Sequence, residues 1–252
     1  MSEDIFRAPA PAPLGGHVRA VFFDAGNTLT YLDLAWIAAR LREDGWDMDE
    51  ESLFYGQCVA SYEASRMALL MKYPTDSDRQ VPYFSRVLEL AGIPKDFTED
   101  CAMILAEEHK RSILWRNVPP FVHATLDELK NRGYILGVVS NTDGRLKALL
   151  DRTRLTRFFK CIIDSSVVGV EKPHPAIFER AVEAVETEPS SCIYVGDIYA
   201  VDIEGARRAG LGGVLLDPMR LHNEFDCVKI TKLPDLLDLL PPVANRTGDG
   251  TT

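Results

Sequence analysis

Five polar residues stand where apolar or turn segments of the chain end: Asp24 after "VFF", Ser140 after "LGVV", Lys172 ahead of "PHPAIF", and Asp197 and Asp202 after "YVG". Gly26 and Asn27 let the backbone turn sharply behind Asp24, so its carboxylate projects from a strand end and can act as a nucleophile. Alone, the same aspartate reads equally well as an Asx turn or a helix cap. Ser140, followed by Asn141, can hold a phosphate oxygen with help from nearby backbone N–H groups. Its simpler reading is a cap for "DGRLKALL". The Lys172 ammonium can offset charge on a phosphate and on Asp24, although a solitary lysine before a helix is usually solvated. Asp197 ends a strand at the same edge as Asp24. Carboxylates that converge there repel unless a cation lies between them, and oxygen-only ligands select a hard ion, Mg²⁺ first. Asp202, five residues on, caps the next helix or hydrogen-bonds behind the ligands.

The elements that must position these groups alternate. Apolar runs of strand type, "VRAVFFDA", "YILGVVSN", "CIIDSSVVG", "CIYVGD" and "GGVLLD", are separated in the second half by helical patterns such as "FVHATLDELKNRG" and "PAIFERAVEAVE". This predicts an α/β fold with a Rossmann-like parallel sheet covered on both faces. Between residues 32 and 116 there is no strong strand signal, only amphipathic runs that predict roughly four helices. Placed after the first strand, such an insertion sits over the carboxyl ends of the strands, where open α/β sheets bind ligands. The expected layout is a tail at 1–17, a core at 18–31 and 117–240, the helical insertion at 32–116, and a tail at 241–252. The Ala/Pro-rich start and the polar "ANRTGDGTT" lack the apolar content to order themselves.

Bulk properties narrow the function. A chain of 252 residues with 46% apolar content can build a substantial core. Its formal net charge of −10 and the absence of any Lys/Arg run argue against a nucleic-acid partner. Five cysteines without CxxC spacing read as reduced core residues of a cytoplasmic protein. The N-terminus lacks the basic start and apolar run of a signal peptide, and no stretch approaches the roughly 20 apolar residues of a membrane span. A monomer or homodimer is expected, and a small anionic substrate remains open to it if one or two cations are focused in a cleft.

In their order, Asp24, Ser140, Lys172 and the Asp197/Asp202 pair resemble the motifs of the haloacid dehalogenase-like (HAD) hydrolase superfamily, in the group with a helical cap inserted after the first core strand (subfamily I, C1 cap). The resemblance covers residues 18–240. It implies phosphatase-type hydrolysis of a small phosphorylated metabolite through an aspartyl-phosphate on Asp24. It also implies that Ser140, Asn141 and Lys172 hold the phosphate, and that Asp24, Asp197 and the main-chain carbonyl of Gly26 bind Mg²⁺. Thr28 and Asp202 stand behind these. The pattern departs at Gly26, where the family usually carries a second aspartate that protonates the leaving group and activates water. General acid–base help is worth on the order of 10²–10⁴-fold, so alkyl phosphates should suffer most and acyl or aryl phosphates least. Tyr31, Asp33 and His174 are conceivable substitutes.

Three other readings follow from the same departure. A catalytically weak or inactive HAD-fold binding protein would explain Gly26. A 2-haloacid dehalogenase uses no metal, and its pattern lacks a carboxylate at the place of Asp197. A phosphonoacetaldehyde hydrolase needs a cap lysine, whereas the first lysine here is Lys72. Trp36, Arg40, Tyr55, Tyr62, Arg66 and Met67 are candidates to face substrate from the helical insertion, or else to pack it.

Overall fold

The structure is a computed structural model that describes residues 17–69 and 76–243. In chain order it forms β1 (Ala20–Phe23), β2 (Tyr31–Leu32), α1 (Leu34–Glu43), α2 (Glu50–Leu69), α3 (Asp76–Ala91), α4 (Lys95–Arg111), β3 (Trp115–Asn117) and α5 (Pro120–Asn131). These are followed by β4 (Ile135–Ser140), α6 (Leu146–Arg152), β5 (Cys161–Asp164), α7 (Ser165–Val168), α8 (Pro175–Val185) and β6 (Cys192–Gly196). A wide π-type turn over Tyr199–Ile203 leads into α9 (Glu204–Arg208), β7 (Gly212–Leu216), β8 (Val228–Ile230) and α10 (Leu236–Leu239).

The sheet has six strands in the order β5-β4-β1-β6-β7-β8, and every pairing is parallel. Its central strands β1, β4 and β6 are short apolar runs buried on both faces, the composition a helix-covered parallel sheet requires. Alternate residues serve opposite layers. Val21, Phe23, Leu136, Val138, Ile193 and Val195 pack with Val122, Leu126 and Leu129 of α5 on one side. On the other, Ala20, Phe22 and Tyr194 pack with Ile177, Phe178 and Ala181 of α8. β1 lies between β4 and β6, with Ala20 opposite Ile135 on one flank and Cys192 on the other. The chain order reverses there, so the carboxyl ends of these three strands open onto the crevice where such sheets take ligands.

Helices α1 to α4 have a core of their own, including Ile37, Leu41, Leu53, Phe84, Leu88 and Leu105. They are bracketed by β2 and β3, a two-strand antiparallel pair. At that base Asp33 caps α1 by accepting from the Trp36 N–H, and its other oxygen accepts from Arg116 Nε at 2.9 Å.

The helical and strand patterns appear where the sequence predicts them, with three local differences. The run "CIIDSSVVG" divides into β5 and the one-turn α7, because Asp164 ends the strand and accepts from the Ser166 N–H. β2 and β3 lie at the two ends of the predicted insertion, and β8 follows the predicted strand "GGVLLD". Each is only two or three residues long, too short for a period to show. The expected tails fall outside the described residues except for His17 and residues 241–243, where the Val243 N–H donates to the Arg132 carbonyl.

Candidate active site

Asp24, Ser140 and Asp197 sit side by side because β1, β4 and β6 are adjacent and end in register. Ser140 Oγ donates to Asp24 Oδ1 at 2.8 Å, and Lys172 Nζ donates to the same oxygen at 2.7 Å. Lys172 reaches in from the loop before α8, and its side chain is only 3% exposed. Two further acceptors complete its shell, Asp202 Oδ1 at 2.7 Å and the Tyr194 hydroxyl at 2.9 Å. Burial pulls the ammonium toward its neutral form, but the charges of Asp202 and Asp24 outweigh that and hold its pKa well above the usual lysine value.

Asn141 is beside this group and holds the main chain of Lys172. Its side chain donates to the Lys172 carbonyl at 3.0 Å and accepts from the Lys172 N–H at 2.8 Å. Through these two bonds the carboxamide positions the lysine loop, and one Nδ2 hydrogen is left over.

Asp24, Asp197 and Asp202 are all buried, and each offers an oxygen within 4.8 Å of the others. Asp202 is committed, since Lys172 takes Oδ1 and the Ile198 N–H donates to Oδ2 at 2.9 Å. Asp197 accepts from Asn27 Nδ2 at 2.9 Å. Burial first, then the charges of Asp202 and Asp24, push its carboxyl up to about 8. A carboxylate so crowded by others is the donor chemistry that a hard divalent cation relieves. The arrangement therefore fits such an ion, with Asp24 and Asp197 as the side chains still able to offer oxygens. Thr28 Oγ1 nearby in the chain is buried and without a hydrogen-bond partner among the described residues.

At the place of the usual second aspartate, Gly26 faces Trp115. A Cβ added at Gly26 would rest against the Trp115 indole, 3.4 to 3.8 Å from its ring atoms. Trp115 Nε1 in turn donates to Asn27 Oδ1 at 2.7 Å, and Gln57 Nε2 of α2 donates to the same oxygen at 2.8 Å. Asn27 holds a left-handed backbone (φ 54°), a conformation open to few residues besides glycine and asparagine. It thus links Asp197 to the helical segment through one carboxamide.

Each of the conceivable replacements from the sequence has a bond of its own. Asp33 is used by Trp36 and Arg116. Tyr31 donates its hydroxyl to the Thr28 carbonyl, and burial raises its pKa far above that of an ordinary tyrosine. His174 is exposed and caps α8 by accepting from the Ala176 N–H.

Beneath the helices lies a cavity of about 30 Å³, lined by Asn27, Tyr31, Phe54, Gln57, Cys58, Ser61 and Asp197 and, from the loop after β7, by Asp217 and His222. The α2 contributors recur every three or four residues, the spacing of one helix face. The sequence candidates on that helix point elsewhere. Tyr55 is 46% exposed, and Tyr62 donates to Glu224 while its ring meets the edge of His222. Arg66 donates to the Tyr62 hydroxyl. Arg40 pairs with Asp44 and Glu43 on the outer surface, where it lines a groove with Trp36. Met67 and Lys72 lie outside the residues whose side chains are described.

Asp217 and His222 escape sequence reasoning. Their only signal is the "D" that closes "GGVLLD" and a histidine five residues later, and only the folded loop shows that both reach the cavity.

The family model for haloacid dehalogenase-like hydrolases matches residues 18–210, and the chain belongs to that family of hydrolases. It is 30% identical to a glyceraldehyde 3-phosphate phosphatase of Pyrococcus furiosus, over 88% of this chain and 93% of the relative. It is also 30% identical to a ribulose-1,5-bisphosphate 5-phosphatase of Halopiger xanaduensis, over 79% and 84% of the two chains. Among solved structures, the HAD-hydrolase YfnB of Bacillus subtilis, crystallised with magnesium, superposes with a TM-score of 0.62 over 88% of this chain and 98% of that one. At 22% identity that likeness concerns the fold. Among the described residues no helix is long and apolar enough to cross a membrane.

Proposed function

We propose that the protein is a Mg²⁺-dependent phosphatase of small phosphorylated metabolites, working through an aspartyl-phosphate on Asp24 beneath a cap formed by α1 to α4. The observation that carries this reading is the single Asp24 oxygen held by Ser140 and Lys172 with the Asp197 carboxylate beside it. Lys172 and Ser140 fix the Asp24 carboxylate in the orientation from which it attacks phosphorus in line. Both can then shift to the phosphoryl oxygens, whose charge they offset. Asp24, Asp197 and the Gly26 carbonyl are the groups that would hold the ion, which when bound supplies charge neutralisation to the phosphoryl group and the attacking carboxylate. The names of the two relatives support a phosphate ester as substrate. A cytoplasmic monomer or homodimer is the setting we assign it.

The crowded carboxylates speak against metal-free dehalogenase chemistry. Asp197 stands where the metal-free dehalogenases lack a carboxylate, and three buried carboxylates with oxygens within 4.8 Å of one another favour a cation between them. The retained Lys172 and Ser140 contacts likewise favour turnover over ligand binding alone.

The test is phosphate release from acetyl phosphate, p-nitrophenyl phosphate and a sugar phosphate, with and without Mg²⁺, beside Asp24→Asn. Metal-dependent release that Asp24→Asn abolishes supports the reading. Release that survives in Asp24→Asn refutes the covalent route.

A further inference from the structure

We propose that His222, oriented by Asp217, is the proton donor to the leaving oxygen in place of the side chain missing at Gly26. The inference rests on the phosphatase reading above and concerns its acid step.

Of the groups that line the cavity, Asp197 belongs to the carboxylate cluster, and Tyr31 is committed to the Thr28 carbonyl. The Cys58 thiol is pushed up to about 12 by burial and by the charges of Asp197 and Asp217, so it holds its proton too tightly to serve. Gln57 and Ser61 do not titrate. Asp217 acts only as an acceptor: it receives the N–H groups of Leu221 and His222 at 2.9 and 3.0 Å. Burial works to raise its pKa, but the His222 imidazole and these two N–H groups prevail and hold it below the usual carboxylate value. Asp217 therefore stays ionised and cannot donate.

His222 remains. It is 3% exposed. Its Nδ1 lies 3.1 Å from Asp217 Oδ1, within ion-pair reach though off the line of a hydrogen bond, and its Nε2 has no partner among the described residues. A buried imidazole nitrogen left unpaired is costly, and His222 lines the same cavity as Asp197, so its free nitrogen has a ready use. The ring is also steadied from the sides, by the Tyr62 edge of α2 at 5.1 Å between centroids and by Phe225 at 5.8 Å. The arrangement is an acid with a carboxylate behind it, the orienting logic of a His–Asp pair. Because Tyr62 belongs to α2, the ring is packed in this way only when the helices lie over the core.

The Asp24 carboxylate forms a bond to phosphorus as the phosphorus–oxygen bond to the substrate's carbon side breaks. The departing oxygen takes the proton from His222 Nε2 and leaves as an alcohol, and the imidazolium becomes imidazole beside Asp217. In the second half, water attacks the aspartyl-phosphate, its proton returns to the imidazole, and Asp24 is released with inorganic phosphate.

Leaving groups of graded acidity provide the test. The wild-type protein is assayed with p-nitrophenyl phosphate and a panel of small alkyl phosphates, beside His222→Gln and Asp217→Asn, each checked for folding by thermal unfolding. The proposal expects His222→Gln to lower kcat on alkyl phosphates on the order of 10²–10³-fold, with a far smaller effect on the aryl ester, and Asp217→Asn to show the same pattern more weakly. Equal losses on both substrate types would mean a packing role and overturn it. So would unchanged alkyl turnover in either variant, or a wild-type protein that cleaves the aryl ester but no alkyl phosphate. Should His222→Gln fail to fold, Asp217→Asn alone decides by the same comparison. Failure of the wild type on every ester, the aryl one included, would instead strike the phosphatase reading itself.

Discussion

Lys172 shows how much one side chain carries here. It is fully buried among Asp24, Asp202 and the Tyr194 hydroxyl, and its charge is kept only because two carboxylates face it. Removing one member of such a group leaves charge uncompensated in a low-dielectric site, a loss of about 3–5 kcal/mol. We therefore expect Lys172→Met to lower stability by that order and to abolish turnover. Lys172→Met/Asp202→Asn should regain much of the stability without regaining activity. Urea unfolding and p-nitrophenyl phosphate turnover on the two variants check this, and an active single variant would contradict it. The lysine was legible in the sequence from its place ahead of a proline-started helix. Its bond to Asp202 was not, because the two are 30 residues apart and meet only through the packing of α8 against β6.

At the scale of elements, the end of β6 must turn without a side chain. A Cβ at Gly196 would come within 2.6 Å of Asp202 Cβ, so the π-type turn can bring Asp202 back under the strand only past a glycine. Gly196→Ala should cost about 1–3 kcal/mol as an overpacked site, and should reduce turnover more than tenfold by displacing the carboxylate that steadies Lys172. Thermal unfolding and kcat measured together check it, and a variant with normal activity would show that Asp202 is dispensable. The strand ends were readable because each closes an apolar run with a polar residue, and the edge they share follows from parallel pairing. What escaped were the loop carrying Asp217 and His222, and the use of Trp115 to fill the space at Gly26. Both depend on contacts across the chain, such as Asn27 with Trp115, 88 residues apart, which no local period encodes.

For the molecule as a whole, the helical segment and the sheet meet over a cavity of about 30 Å³, room for a water or two and too little for a phosphorylated sugar. The Asn27 bonds to Gln57 and Trp115 and the bond from the Tyr199 N–H to Ser65 Oγ are among the contacts at the join. A second joint lies at the end of α4, where Arg145 donates to the carbonyls of His109 and Lys110. Burial, then the Arg145 charge, pushes the His109 imidazole down to about 4 from its ordinary 6.5. Its neutral ring accepts the Leu114 N–H. Below 6.5 the unfolded chain takes up a proton that the folded one refuses, so this contribution is intact above 6.5 and is lost as the pH falls toward 4. His109→Gln, which keeps an acceptor without the titration, should flatten the loss of stability over that window. Urea unfolding on either side of it checks this, and an unchanged slope would rule His109 out as its source.

The central claim is that Asp24 becomes phosphorylated. The most direct measurement is an acid quench during turnover of acetyl phosphate with Mg²⁺, followed by peptide mass spectrometry. The account predicts a phosphoryl group on Asp24 that hydroxylamine removes, that requires the metal, and that Asp24→Asn does not form. Steady release of phosphate with no label on Asp24 at any quench time would contradict it.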